Sequence, residues 1–359
     1  MCTVIEPATA SGTPYIQEEC CWNRGDQYVP HLLGQICADY GTKEFITHDV
    51  GSTPAVEGDA ALVFSWAFGD ELEPFVDHLM RTCEQVTLIA NPASTSRLLL
   101  CRFPGCLVLP TTAFTASIAP IDLEICRPSF FVQFSSGCPW RCPYCVWQNR
   151  YQLYDPNEVA SAIVQRLERA VGDPVFNLLG NELSGKQEWL RTLASGIPAG
   201  SRFTSDLNIR NTTAQDVEIV KRAGMIRACL GVEFLTDKML RKLNKGHTVE
   251  DAFQVMQRLQ NEGIAYRFSL RSGVGETSED MRELADNLQR FYAAGLAPKN
   301  IVCGGPMFAW PGLPWEKTIG EDCVNVGSNL FPRYVRRMTD ELKPIWQDLQ
   351  QQVKGYGWT

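Results

Sequence analysis

The chain has 359 residues, 45% of them hydrophobic, with 14 cysteines, four histidines and a formal charge of −8. That length suits two domains with a core each, and the acidic balance removes the long-range attraction to phosphate backbones that non-specific nucleic-acid binding needs. No apolar run approaches the roughly 18 residues of a membrane span, and "MCTVIEPATASG" carries no basic-then-apolar leader, so a soluble, cytoplasmic protein with reduced thiols is expected.

Taken in chain order, residues 1–125 alternate short apolar runs with segments of helical period. "CTVIE", "KEFITH", "ALVFSW", "QVTLIA" and "CLVLP" read as strands. "VPHLLGQICADYG", "DELEPFVDHLMRTC" and "STSRLLLC" read as helices. The pattern predicts a small doubly wound, Rossmann-like sheet, ending in the Pro-containing stretch 111–128. Cys2, Cys20 and Cys21 match no known ligand spacing, and no role is assigned to them.

From residue 126 to about 310 the alternation is stronger. "SFFVQF" (129–134) is a strand, followed by a cysteine-rich loop and a helix capped by Asp155 with Pro156 at its first position. The strands "VFNLLG", "SRFTS", "IRACLGVEF", "IAYRFSL" and "NIVCGG" follow, separated by helical segments. Three of those helices open on Thr213–Asp216, Thr248–Asp251 and Thr277–Asp280, and they stop at Gly224, Gly263 and Gly295. Six strand-then-helix steps predict a parallel α/β sheet curled into a partial barrel, with its chemistry on the C-terminal rim. Residues 311–359 are an extension with a helix over 333–353. The stretch "MFAWPGLPWEK" (307–317) is a loop, suited to a lid or to packing under that helix. Cys83, Cys106, Cys229 and Cys303 lie in or beside apolar runs and read as core residues.

The loop "SSGCPWRCPYCVW" brings Cys138, Cys142 and Cys145 within eight positions. Thiolates hold zinc or iron–sulfur clusters. A structural zinc site wants four ligands, and no fourth Cys or His is near. Three thiolates on a four-iron cluster leave one iron without a protein ligand, and an open position of that kind suits chemistry better than scaffolding.

This spacing just after the first strand of a six-step series resembles the radical S-adenosylmethionine (radical SAM) superfamily over about residues 128–310. The resemblance implies a 4Fe-4S cluster on Cys138, Cys142 and Cys145. S-adenosylmethionine would chelate the remaining iron and be cleaved reductively to a 5′-deoxyadenosyl radical. Tyr144 is the aromatic residue that usually precedes the third cysteine. Gly180, Asn181 and Glu182 stand where the family has a Gly-Gly-Glu-like turn for the methionine amine, with Asn181 replacing the second glycine. Glu233 in "LGVEF" corresponds to a ribose-facing glutamate. Gly273, Gly275 and Glu276 in "SGVGET" correspond to the stretch beside the adenine. "KLNKGHT" and "WPGLP" echo the family at their expected places. An electron donor such as flavodoxin or ferredoxin, and a small-molecule or peptide substrate, come with the same resemblance.

A doubly wound domain ahead of the barrel is similar to the cobalamin-binding branch of that superfamily, many of whose members methylate unactivated carbon while others rearrange or oxidise. The expected function is therefore cobalamin-dependent methylation, the alternative being cobalamin-independent rearrangement, epimerisation or desaturation. A non-catalytic iron–sulfur or zinc protein is the remaining reading. The leading domain is short for this branch. No Asp-x-His-x-x-Gly motif is present, and none of His31, His48, His78 or His247 fits a cobalt ligand. A corrin would lie against loops at the strand ends of the leading sheet, at residues 7–23, 65–71 and 91–96.

Overall fold

The computed structural model describes residues 2–8, 45–49, 56, 58–64, 72–90, 103–110, 129–136, 138–145, 151–169, 174–296, 300–309, 313–319, 323–325 and 334–355. They divide into two compact units. One comprises residues 1–127 with 309–316 and 325–334, the other 128–308 with 317–324 and 335–359.

The first unit is built on five strands, β1 (Cys2–Ala8), β2 (Phe45–Asp49), β3 (Asp59–Phe64), β4 (Val86–Ala90) and β5 (Leu107–Pro110), with α1 (Leu72–Thr82) between β3 and β4. Every pairing is parallel and the order is β2-β1-β3-β4-β5. Phe75, Val76 and Leu79 on α1 are buried, as are Ala60, Ala61, Leu88 and Ile89 on the strands. The chain runs outward from β1 to β2 and then returns to β3 on the other side. The carboxyl ends of β1 and β3 therefore flank a topological switch point, where open sheets of this kind leave a crevice. The expected helices over 29–41 and 94–101, the boundary at 111–128 and the three proposed corrin loops, apart from Pro7 and Ala8 at the end of β1, fall outside the described residues.

The second unit is a six-stranded parallel sheet whose strands lie in chain order: β6 (Ser129–Gln133), β7 (Val175–Leu179), β8 (Arg202–Leu207), β9 (Met225–Glu233), β10 (Ala265–Ser272) and β11 (Asn300–Pro306). Each crossover is helical: α2 (Pro156–Arg169), α3 (Gln187–Gly196), α4 (Ala214–Arg222), α5 (Asp237–Lys242) with α6 (Val249–Asn261), and α7 (Ser278–Ala293). Among the described residues nothing pairs β6 with β11, which stand at the two edges of the sheet. The sheet is dense in buried aromatic rings: Phe176 and Phe203 stack at 5.3 Å, and Tyr266 and Phe268 are each 1% exposed.

The helix starts follow from local chemistry. Asp155 Oδ1 accepts from the backbone N–H groups of Asn157 and Glu158 at 2.8 and 3.3 Å. Thr213, Thr248 and Thr277 each form a full capping box with the aspartate three residues on. Three readings need correction. α5, capped by Thr236, is too short to carry an apolar stripe, so periodicity passes over it. Residues 334–336 form a strand with Val335 buried between half-buried Tyr334 and Arg336, a two-residue period that rules out the helix face expected there. The C-terminal helix, α9 (Leu342–Gly355), accordingly begins later than expected, and the expected loop at 307–317 holds the short α8 (Pro314–Thr318). Trp315 on α8 is fully buried, so this tryptophan is packing and not an exposed lid.

Thr248→Ala and Thr277→Ala should each destabilise the protein by about 1 kcal/mol, the usual worth of a helix cap. Because the two caps sit on different helices their effects should add, which urea denaturation of the double variant checks.

Candidate active site

The cysteine loop leaves the carboxyl end of β6 and is closed at its base. Ser135–Ser136 pairs antiparallel with Gln152–Leu153, and the Tyr154 N–H donates to the Phe134 carbonyl at 3.0 Å. Phe134 is fully buried beneath this closure against the Trp189 ring, 5.6 Å away. Cys138, Cys142 and Cys145 are all half-buried. Burial pushes the Cys138 thiol up to about 11, helped by Cys142 and Glu182 and opposed by the Trp140 backbone and Lys245. A thiolate there needs a positive partner. Among the described residues no three His, Cys, Asp or Glu side chains are grouped to hold a single ion.

The opposite side of the loop is held by the "LNKG" segment (243–246). Asn244 Nδ2 donates to the Arg141 carbonyl at 3.0 Å, and Cys142 Sγ lies 3.8 Å from the Asn244 carbonyl oxygen. Arg210, just past β8, donates from Nε to the Lys245 carbonyl (3.0 Å) and from Nη2 to the Asn244 carbonyl (2.9 Å). Its guanidinium also stacks on the Trp140 ring, 4.0 Å from the centroid. Gly246 makes this possible, since a Cβ there would fall about 2 Å from the Arg210 guanidinium, and its φ of +65° suits only glycine well.

Gly180 follows β7 and packs directly on the loop's base. An added Cβ would meet the Phe134 ring and Ser135 Oγ at 2.4 Å. That close approach carries the chain through half-buried Asn181 to Glu182, which is 1% exposed. Glu182 Oε2 accepts from Trp140 Nε1, while Oε1 is buried with no partner. Tyr151 Oη donates to the Glu182 carbonyl at 3.3 Å. Burial raises the Glu182 carboxyl to about 7, against the lowering effects of Trp140, Lys186 and Arg210. A buried carboxyl with one open oxygen is an unfilled place for a cationic donor.

Glu233 ends β9 at a register shift in the β9–β10 ladder and has a φ of +64°, an uncommon conformation for a residue with a side chain. Its carboxylate accepts from Ser269 Oγ at 3.1 Å and lies 3.8 Å from Lys245 Nζ and 3.6 Å from Arg271 Nε. Lys245 Nζ also donates to Tyr144 Oη at 3.4 Å. Burial, then Glu233, Cys142 and Cys145, holds the Tyr144 phenol well above its usual range, with Arg271 opposing. Tyr144 and Glu233 thus belong to one charged cluster beside the cysteines. Gly273, Gly275 and Glu276 form the turn after β10, which Glu276 closes by accepting from the Gly273 N–H at 2.8 Å through Oε1, leaving its buried Oε2 unpartnered.

Sequence reading named no role for Trp140, Arg210, Asn244, Lys245 or Arg271. "KLNKGHT" was the available signal for two of them. The others are joined only by the fold, as Cys142 and Asn244 are across 102 positions. Cys106 and Cys229 are buried and Cys83 half-buried, while Cys303 lies on β11. His48 lies on β2, His78 is half-buried on α1, and His31, Cys20 and Cys21 fall outside the described residues. His247 is 7% exposed, with burial and then Lys245 pushing it down to about 3.

Glu182 carries a pH signature. The folded state holds its proton up to about 7 while an ordinary glutamate releases it near 4.5, so the folded state binds more protons in that interval. Stability of the metal-free chain should fall as pH rises from about 4.5 to 7, by up to about 3 kcal/mol from this group. Glu182→Gln should remove that slope and leave the metal-free protein more stable at pH 8, which denaturation at pH 5 and pH 8 measures.

The family model for the Radical SAM superfamily matches residues 132–288. An anaerobic magnesium-protoporphyrin IX monomethyl ester cyclase from Synechocystis is 30% identical over 150 residues, 38% of this chain and 29% of the relative. The cyclase of the same name from Rubrivivax gelatinosus is 25% identical over 175 residues, 46% of this chain and 30% of that one. The chain thus spans under a third of either curated relative. Among solved structures, the radical S-adenosylmethionine methyltransferase TsrM from Kitasatospora setae, with tryptophan substrate and a SAM analogue bound, superposes with a TM-score of 0.65 over 99% of this chain and 89% of that one, at 12% identity. The cobalamin-dependent radical enzyme OxsB, with aqua-cobalamin and S-adenosylmethionine bound, gives 0.66 over 98% and 66%, also at 12% identity. At such identity the structural likeness speaks for the fold. The cysteine triad on the first rim loop lies within the stretch, 132–288, that the Radical SAM superfamily model matches.

Proposed function

We propose that the chain is a radical SAM enzyme in which Cys138, Cys142 and Cys145 hold a 4Fe-4S cluster and S-adenosylmethionine takes the remaining iron. The observation that carries this reading is the buried Oε1 of Glu182, without a partner, on a carboxyl tied through Trp140 to the cysteine loop. The donor set fits as well. Three soft sulfur ligands suit iron–sulfur chemistry, and a bound cation deprotonates a thiol such as Cys138, whose burial otherwise keeps its proton on. Bound together, cluster and S-adenosylmethionine supply one-electron cleavage of a sulfonium carbon bond, a chemistry that no side chain here offers.

The chain's own residues bind, orient and exclude water. Glu182 offers Oε1 to the methionine ammonium. Glu233, pinned by Ser269, Lys245 and Arg271, presents a fixed carboxylate at the β9 rim for ribose hydroxyls. Gly273 and Gly275, with Glu276 closing their turn, form the turn assigned to the adenine, against which Arg336 and Lys242 pack at Gly275. Phe134 and the closed base of the loop keep solvent from the cysteines on the sheet side. An electron must come from a separate donor, for which a flavodoxin or ferredoxin is suited.

The five-stranded sheet, with its switch point between β1 and β3, supports a corrin-holding role for the leading unit. We assign methylation of an unactivated carbon on a small molecule or peptide as the first outcome, supported by the fold shared with TsrM. The cyclase relatives favour a second outcome, oxidation at carbon leading to ring closure.

Anaerobic reconstitution with iron and sulfide should load about four irons per chain, the number of a 4Fe-4S cluster. Any single Cys→Ala change in the triad should abolish both the cluster and release of 5′-deoxyadenosine. Hydroxocobalamin should then bind to the native chain. Formation of S-adenosylhomocysteine beside 5′-deoxyadenosine marks methylation, and 5′-deoxyadenosine alone marks the oxidative outcome. A sample holding a single zinc and no acid-labile sulfide overturns the assignment.

A further inference from the structure

Glu182 is placed between conflicting demands. To receive a cationic amine its carboxylate must keep its charge unspent, yet a glutamate side chain in a buried place turns toward whatever cation is in reach. Lys186 and Arg210 are both close enough to lower its proton affinity. Neither takes Oε1, which has no hydrogen-bond partner.

The arrangement around Arg210 accounts for this. Its Nε and Nη2 are committed to the carbonyls of Lys245 and Asn244, and its flat face lies on the Trp140 ring. The cation is thereby parked on an indole and kept from pairing with the carboxylate. Trp140 then supplies what Glu182 lacks, a rigid neutral donor. An indole N–H donates one hydrogen bond and carries no charge, so it fixes Oε2 without satisfying the electrostatic demand of Oε1. An arginine or lysine in its place would hold the carboxylate as well but would compete with the ligand.

We infer that Trp140, clamped by Arg210, is a positioning residue that orients Glu182 toward an ammonium ligand while leaving its charge available. This rests on the reading of Glu182 as the acceptor for the amine of S-adenosylmethionine. Because Trp140 lies between two of the cluster cysteines, the same contact couples the cysteine loop to amine recognition: whatever orders the loop orders the carboxylate. The guanidinium clamp and the residue at Gly246 that leaves room for it are part of the same device.

The test is a double-mutant cycle on the full chain, reconstituted anaerobically, with S-adenosylmethionine binding read by equilibrium dialysis and iron and sulfide content measured in each sample. Trp140→Phe keeps a ring for Arg210 but removes the N–H. It should weaken binding about tenfold, the scale of one hydrogen bond to a charged group, with iron content unchanged. In a Glu182→Gln background, already weakened, Trp140→Phe should add less than about a twofold change, the size of ordinary non-additivity error. An equal loss in both backgrounds, or a loss of iron in the Trp140→Phe protein, overturns the positioning role and leaves the indole as a support of the loop. Should Trp140→Phe not fold, Arg210→Lys carries the same cycle: it should weaken binding in the native background and leave Glu182→Gln unmoved, and the opposite pattern overturns the proposal. A native, fully loaded chain that binds no S-adenosylmethionine brings down the functional reading itself, a result distinct from either failure above.

Discussion

A carboxyl group buried to 1% exposure with one oxygen unpaired is expensive, and the second unit is organised around keeping it that way. Gly180 lets the chain press onto Phe134 and so turns Glu182 inward. Trp140 holds one oxygen and Arg210 holds Trp140. The 243–246 segment holds Arg210 through two carbonyls and the cysteine loop through Asn244. Remove the carboxylate and this ring of contacts has no centre. A fold selected for stability alone would fill the space with hydrocarbon.

The second carboxylate follows another logic. Glu233 is surrounded by two cations and a serine hydroxyl, and its backbone sits in a conformation that side chains disfavour. Its charge is already compensated, so it acts as a fixed hydrogen-bond acceptor and offers a newcomer little net charge. Under the function proposed above, the two groups would divide the recognition of one ligand, one meeting its charge and the other its hydroxyls. Tyr144, linked to Glu233 through Lys245, ties this second group to the cysteines as Trp140 ties the first.

Much of this was legible beforehand, for identifiable reasons. The strands and the boxes at Thr213, Thr248 and Thr277 are written in local chemistry, a cap or an apolar alternation that needs no distant partner. The cysteines stand out by their spacing, and Glu182 only through the resemblance of its turn to a Gly-Gly-Glu-like one. Arg210 was not, because its meaning lies in contacts with Trp140 and residues 244–245, none of them near in sequence. The strand at 334–336 was missed because the arginine-rich stretch 333–338 looks like solvated surface until Val335 is seen to be buried. α5 escaped for a simpler reason, being shorter than two turns.

The chain-ordered sheet also sets a timetable for synthesis. Each strand pairs only with neighbours already made, so the unit can grow along with the emerging polypeptide. The thiols at 138–145 emerge early, whereas Asn244, which covers Cys142, follows 102 residues later. At common elongation speeds of roughly 5–20 residues per second, that gap lasts about 5–20 s. During this interval the nascent Cys142 thiol lacks the contact with residue 244 that the folded chain gives it, and stands open to whatever ion or oxidant surrounds the ribosome.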